Sequence, residues 1–244
     1  MKAIVFDVDD TLYDQQQPFR NAIEQVFPQV TATDLHQLYI RFRHHSDERF
    51  PQVMSGDWSL EFMRYFRINE SLKDLGYEEV HQKTALFFQG VYEKELDNIV
   101  MHPEIKKLLD RLKACQIPMG IITNGPTDHQ SRKVKQLQLE NWIPSERIII
   151  SQSTGYQKPE KEIFHLASQQ FQMNPEETLY VGDSFENDVV GARNGGWHAL
   201  WFNHRLRALP ANETAFYQAE VTCFTHLTST IEALLQLSVG ALEK

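Results

Sequence analysis

Residues 2–11 read K-A-I-V-F-D-V-D-D-T. Lys2 to Val8 is an apolar, β-branched run without polar alternation, the pattern of a strand covered on both faces inside a parallel sheet. The run ends in three acids, Asp7, Asp9 and Asp10. Like charges this close cost free energy unless a cation or a reaction makes use of them. In an open α/β sheet ligands bind beyond the carboxyl ends of the strands, so a strand ending in acids marks where chemistry is expected.

The same strand signature recurs downstream. Pro118 to Asn124 follows a helical pattern over Glu104 to Ala114; Arg147 to Ser151 precedes helical Glu160 to Gln170; Thr178 to Asp183 precedes helical Asp188 to Asn194; Trp197 to Phe202 comes next. Strands alternating with helices predict an α/β fold, a doubly wound parallel sheet. From Gln15 to Val100 the rhythm changes. Helical periodicity runs through Ala22–Phe27, Leu35–Phe42, Leu60–Phe66 and Val80–Leu96, and no buried strand is evident. The expectation is an inserted helical cap over 15–99 and an α/β catalytic core formed by 1–14 and 100–244, with hinges near Tyr13–Pro18 and Ile99–Pro103.

Composition narrows the function. The 244 residues are 41% hydrophobic, enough for a substantial core, and 33 acidic against 24 basic side chains give a net charge of -9. That charge repels nucleic acid and anionic membranes, while a small anionic substrate is still allowed where a local cation reverses the sign. Two cysteines, Cys115 and Cys223, without C-x-x-C spacing suit a reducing cytoplasm. No stretch reads as a signal peptide or membrane span, and the sequons at Asn69 and Asn212 read as chance patterns.

Each strand delivers polar groups to the crevice: Asp7-Val8-Asp9 from the first, Thr123-Asn124-Gly125 from the second, Gly182-Asp183-Ser184 from the fourth, and Lys158-Pro159 from the loop after the third. The set suits transfer of a phosphoryl group from an ester to a carboxylate. Asp7 is ionised at neutral pH and attacks without the general base that a serine needs. Mg²⁺ held by Asp7 and Asp183 would relieve its repulsion from a phosphate dianion. Lys158, Thr123 and Asn124 are the candidate contacts to substrate. Asp9 is placed for acid–base work, and Asp188 for orienting Asp183 or a metal-bound water.

D-V-D-D-T at Asp7 to Thr11, T-N-G at Thr123 to Gly125, K-P at Lys158-Pro159 and G-D-S-F-E-N-D at Gly182 to Asp188 resemble, in order, the four motifs of the haloacid dehalogenase superfamily. The insertion after the first motif resembles the helical cap of the branch that contains phosphoglycolate phosphatases, β-phosphoglucomutases and nucleotidases. By position, the resemblance implies Asp7 as nucleophile and metal ligand. It implies Asp9 as acid/base with its backbone carbonyl on the metal, Thr123 and Lys158 as the phosphate-binding pair, and Asp183 as metal ligand with Asp188 behind it. An acid at the Asp9 position implies a phosphatase or phosphotransferase rather than a dehalogenase.

Taken singly, each motif has a plainer reading: a solvated strand end, a glycine turn, a helix-opening proline. Their order at strand ends favours catalysis. Asp10 and Asp14 read as turn or capping residues, and Glu186 and Asn187 as surface. In the cap, Arg41, Arg43, His44, His45 and Arg49 read as a solvated helix face, and the aromatics Phe42, Phe62, Tyr65, Phe66, Phe87, Phe88 and Tyr92 as packing, as do Trp142, Trp197 and Trp201. The leading expectation is a Mg²⁺-dependent phosphatase of a small phosphate ester, with a phosphomutase as the enzymatic alternative and a phospho-aspartate signalling protein as the alternative of another class. G-x-G-x-x-G after the first strand and G-K-[ST] are both absent, which removes Rossmann and P-loop nucleotide chemistry.

Overall fold

A computed structural model describes residues 1–210 and 216–237, and Asn212 lies outside them. The chain divides into two compact units, Met1–Asp14 with Val100–Lys244 and Gln15–Ile99.

The first unit is the expected doubly wound sheet. Its strands are β1 (Ala3–Phe6), β2 (Met119–Thr123), β3 (Ile148–Ile150), β4 (Thr178–Gly182), β5 (His198–Phe202) and β6 (Ala219–Val221), all parallel in the order β3-β2-β1-β4-β5-β6. β1 lies at the centre with Phe6 paired to Ile121 on one side and Val181 on the other. The chain winds outward from β1 first through β2 and β3, then through β4, β5 and β6. The strand order therefore reverses between β1 and β4, where such sheets open a crevice. β2, β1 and β4 are neighbours, so Thr123, Asp7 and Asp183 emerge side by side.

All residues of β1, β2 and β4 are buried, which accounts for their unbroken apolar runs. Around the sheet lie α5 (Pro103–Ala114), α6 (Thr127–Gln136), α7 (Lys161–Phe171), α8 (Gly191–Asn194) and α9 (Phe224–Leu234). α5 starts on a His102 cap that accepts from Glu104 N, with Pro103 in its first turn, and buries Ile105, Leu108, Leu109 and Leu112 as one stripe. Phe164, Phe171, Tyr180, Trp197 and Trp201 form the aromatic part of the core. Trp142 departs from the packing expectation: it is half-buried and its indole N–H donates to Asp110 at 2.7 Å. The helix expected over Asp188–Asn194 begins earlier, in a wide π-type turn over Phe185–Val190 that continues into α8. Within that turn Asp188 accepts from Ser184 N at 2.8 Å, tying the helix start to the end of β4.

The second unit consists of α1 (Gln17–Val26), α2 (Leu35–Ser55), α3 (Leu60–Asp74) and α4 (Gln82–Leu96). Its core joins Phe19, Phe27, Leu38, Phe42, Ile68, Leu72, Phe88 and Tyr92, with Phe19 edge-on to Phe88 at 5.8 Å. α2 runs well beyond the expected Leu35–Phe42 and includes Pro51. The apolar period fades after Phe42, but the long charged side chains that follow are good helix formers. Phe87 is exposed rather than packed, and Phe62, though partly exposed, sets its ring edge-on to Trp58 at 4.8 Å. The basic stretch splits: Arg41, Arg43 and His44 are exposed, while His45 and Arg49 turn inward, His45 meeting Asp74 at 2.8 Å and Arg49 lying over the Trp58 and Phe66 rings. Asn69 of the first sequon is buried and bonded to the backbone of Val80 and Tyr65.

Candidate active site

β1 carries Asp7 to the end of the sheet, and its backbone N–H donates to Val181 O on β4 at 2.9 Å. The Asp7 carboxylate meets the Lys158 ammonium at 2.7 Å, and Lys158 also reaches Asp188 at 2.6 Å and the Tyr180 hydroxyl at 3.0 Å. Tyr180 in turn donates to Ile122 O at 2.9 Å. Asp7, Lys158, Asp188 and Tyr180 are all buried. Gly182 makes the approach of Asp188 possible, since a Cβ there would lie 2.3 Å from its carboxylate.

Asp183 completes the group. Oxygens of Asp7, Asp183 and Asp188 lie within 4.8 Å of one another. Asp7 and Asp188 thus share one buried ammonium, while Asp183 meets the half-exposed Arg207 at 2.6 Å. Burial, assisted by Asp188 and Asp9 and opposed by Lys158, pushes the Asp7 carboxyl up to about 7. Burial and the Asp188 charge raise Asp183 well above the ordinary value, against the pull of Arg207. Burial would pull Lys158 down, but Asp188 and Asp7 hold it well above its usual value. An oxygen-only donor set with unmet negative charge fits a hard divalent cation such as Mg²⁺.

Thr123 ends β2 fully buried, and its hydroxyl has no hydrogen-bond partner among the described residues. A buried hydroxyl left open costs free energy unless a ligand supplies the acceptor or donor. Asn124 is spoken for: its amide donates to Lys158 O at 2.8 Å and accepts from Lys158 N at 2.9 Å. Its side chain therefore holds the Lys158 backbone in place.

The Asp9 carboxylate lies apart from the acidic trio, in an environment that the spacing of the motifs did not disclose. Lys133 on α6 contacts both of its oxygens at 2.6 and 2.7 Å, Gln130 donates at 2.9 Å and the Tyr13 hydroxyl at 2.5 Å. Burial raises its pKa, but the Lys133 charge and these hydrogen bonds outweigh burial and bring it below the ordinary value. Gly125 (φ 142) leaves room for the Gln130 amide, which a Cβ would meet at 2.8 Å. Asp10, with φ 58, turns the chain and is gripped by Arg205 at 2.7 and 3.1 Å; Arg205 also pairs with Asp14.

Sequence reasoning missed Lys133, Gln130, Tyr13, Tyr180 and Arg207. For Gln130 and Lys133 the available signal was their three-residue spacing just after T-N-G, which sets them on one helix face. For Tyr180 it was a hydroxyl inside a buried strand, where a partner is needed. Arg207 carried none.

Residues 1–196 match the profile described as hydrolase, haloacid dehalogenase-like hydrolase. The chain belongs to this family. Among its haloacid dehalogenase-like relatives, a glyceraldehyde 3-phosphate phosphatase of Pyrococcus furiosus is 29% identical over 208 residues, covering 84% of this chain and 81% of the relative. A ribulose-1,5-bisphosphate 5-phosphatase of Halopiger xanaduensis is 26% identical and covers 96% of this chain and 98% of its own. The crystal structure of the putative HAD-hydrolase YfnB from Bacillus subtilis, bound to magnesium, shares the fold with a TM-score of 0.68 at 24% identity, covering 97% of this chain and 99% of that one.

Proposed function

We propose that the protein is a Mg²⁺-dependent phosphatase that hydrolyses the phosphate monoester of a small metabolite through a covalent aspartyl-phosphate on Asp7. The observation that carries this reading is the buried group of Asp7, Asp183 and Asp188, two of them paired to Lys158, flanked on the neighbouring strand by the Thr123 hydroxyl, unpartnered among the described residues. The named substrates of the relatives, glyceraldehyde 3-phosphate and ribulose-1,5-bisphosphate, are small phosphorylated compounds and support the substrate class. A reducing cytoplasm suits the unpaired thiols of Cys115 and Cys223.

Held by Asp7, Asp183 and Asp188, with the Asp9 backbone carbonyl as a further ligand, Mg²⁺ would offset the repulsion between the Asp7 carboxylate and the phosphate dianion. In the first half of the reaction an Asp7 oxygen bonds to phosphorus as the ester P–O bond breaks, and the departing oxygen takes a proton from Asp9. The Lys158 ammonium and Thr123 hydroxyl donate to the phosphoryl oxygens. In the second half the Asp9 carboxylate takes a proton from water, the water oxygen bonds to phosphorus, and the bond from phosphorus to Asp7 breaks. Inorganic phosphate leaves with both acids restored. The lowered pKa of Asp9 favours the base of the second half over the acid of the first.

The test is phosphate release by purified protein with Mg²⁺ across a panel of phosphate esters, beside Asp7→Asn. Turnover of at least one small ester, lost in the variant, is expected. A flat response over the whole panel refutes the reading, and turnover by Asp7→Asn removes Asp7 from the mechanism.

A further inference from the structure

Arg67, in the middle of α3, is a largely desolvated cation with no acid of its own among the described residues. Its Nη1 donates to Ser46 Oγ on α2 at 3.0 Å and its Nη2 to Gln89 Oε1 on α4 at 2.7 Å. Its Nε is buried without a partner, and the guanidinium carbon lies 4.1 Å from the Phe42 ring centroid. Among the described residues no carboxylate is within ion-pair distance of it.

Glu93 reaches Arg67 only through an amide. Gln89 Nε2 donates to Glu93 Oε1 at 2.9 Å, the same oxygen that Arg64 Nη2 meets at 2.5 Å. Burial, with Arg43 and Arg64 as like charges, pulls the Arg67 pKa down to about 10 against the influence of Tyr92 and Glu93. A guanidinium stripped of water is costly unless an anion compensates it. A tie among three helices would not need that charge, because a neutral amide could bridge Ser46 and Gln89 without the desolvation penalty.

We propose that the junction of α2, α3 and α4 around Arg67 is a binding site for a small anion, a carboxylate or phosphate group. Arg67 and Arg64 supply the charge, and Ser46 and Gln89 supply neutral donors. The same chemistry has two possible sources, a second acidic group on the substrate or a free metabolite anion. The site stands on the helical unit alone, and only its assignment to the substrate rests on the phosphatase reading.

Calorimetric titration of the full-length protein with inorganic phosphate, at fixed ionic strength and with EDTA present, tests it in wild type, Arg67→Met and Gln89→Glu. Gln89→Glu puts a carboxylate where Arg67 already finds an oxygen, so it fills the site from within, while giving up the Gln89 donation to Glu93. Each variant is expected to bind one phosphate fewer than wild type, with the fold of Gln89→Glu checked by its circular dichroism spectrum. Equal stoichiometry in wild type and folded Gln89→Glu overturns the proposal. Calorimetry needs no turnover, so a protein that hydrolyses no ester still reports on this site, and the two failures are told apart. A substrate source is recognised when both variants lose about tenfold or more in kcat/KM on esters with a second acidic group relative to esters without one. A free anion leaves that ratio unchanged, and added phosphate then alters the wild-type rate on both ester classes.

Discussion

The two sides of the β1 strand end handle the same side chain in opposite ways. Asp7 faces Lys158, but that ammonium is shared with Asp188, and Asp183 stands close by. Asp9 faces Lys133, which gives both of its short contacts to Asp9, with Gln130 and Tyr13 adding hydrogen bonds. Both carboxylates are desolvated, yet Asp7 is pushed up to about 7 and Asp9 falls below the ordinary value. Burial alone does not set the sign; the ratio of acids to cations does. The Asp7 side is one positive charge short, which suits a metal and a phosphoryl group. The Asp9 side is already neutralised, which suits a group that must keep its place while a proton moves.

The contrast is broken most severely by Asp7→Asn, which leaves no nucleophile. Its expected loss of turnover is on the order of 10⁴-fold or more, measured as phosphate release, with the circular dichroism spectrum unchanged. Asp9→Asn is expected to lose about 10²- to 10⁴-fold, the range for a general acid–base group. The two differ in kind as well as size. Rapid quenching of Asp9→Asn with a 32P-labelled activated ester, whose leaving group needs no proton, should trap phosphoprotein, because attack by Asp7 survives while hydrolysis of the intermediate slows. If no phosphoprotein appears, Asp9 is not the base of the second half.

Much of this contrast was invisible in the order of residues, and the reason is physical. β1, β2 and β4 are covered on both faces, so their sequences read as unbroken apolar runs, and their ends are where polarity returns. That placed Asp7, Thr123 and Asp183 at the rim of the sheet from the sequence. Which cation faces which acid depends instead on α6 and on the turn after β4. α6 reads T-D-H-Q-S-R-K-V-K-Q, polar nearly throughout, so no apolar stripe singles out the face that carries Gln130 and Lys133. Arg67 is a similar case. A charged residue inside a helix ordinarily reads as solvated, and only the packing of α2, α3 and α4 takes its water away.

Lys133→Met sharpens the comparison from the neutralised side. Without the ammonium, burial dominates and the pKa of Asp9 rises, so the base of the second half ionises at higher pH. Where hydrolysis of the phospho-intermediate limits turnover, the acid limb of the kcat profile is expected to move to higher pH, with a lower rate on its acid side. An unmoved limb would mean that Lys133 only braces the helix.

The smallest effect is in stability, and its sign differs between the two acids. With EDTA present, the folded pKa of Asp7 lies above that of an unfolded carboxylate, so the folded chain binds the proton more tightly. The stability this contributes is complete below the ordinary value of 3.8 and is lost as pH rises through about 7. Asp9, with its folded pKa depressed, contributes stability that is present above the ordinary value and lost as pH falls through the lowered one. Of the two acids, Asp7 titrates between pH 5.5 and 8 and Asp9 does not. The uncharged amide introduced by Asp7→Asn does not share that loss. The Tm of metal-free Asp7→Asn relative to wild type should therefore rise from pH 5.5 to pH 8, by about 2–4 °C for each 1 kcal/mol in a chain of this size. Asp9→Asn should show no such rise over the same interval. Added Mg²⁺ should stabilise wild type more at pH 8 than at pH 5.5, because the proton and the cation compete for the same carboxylates. A Tm difference between Asp7→Asn and wild type that stays flat with pH would mean that Lys158 alone neutralises Asp7, and that the Asp7 side is not short of a positive charge.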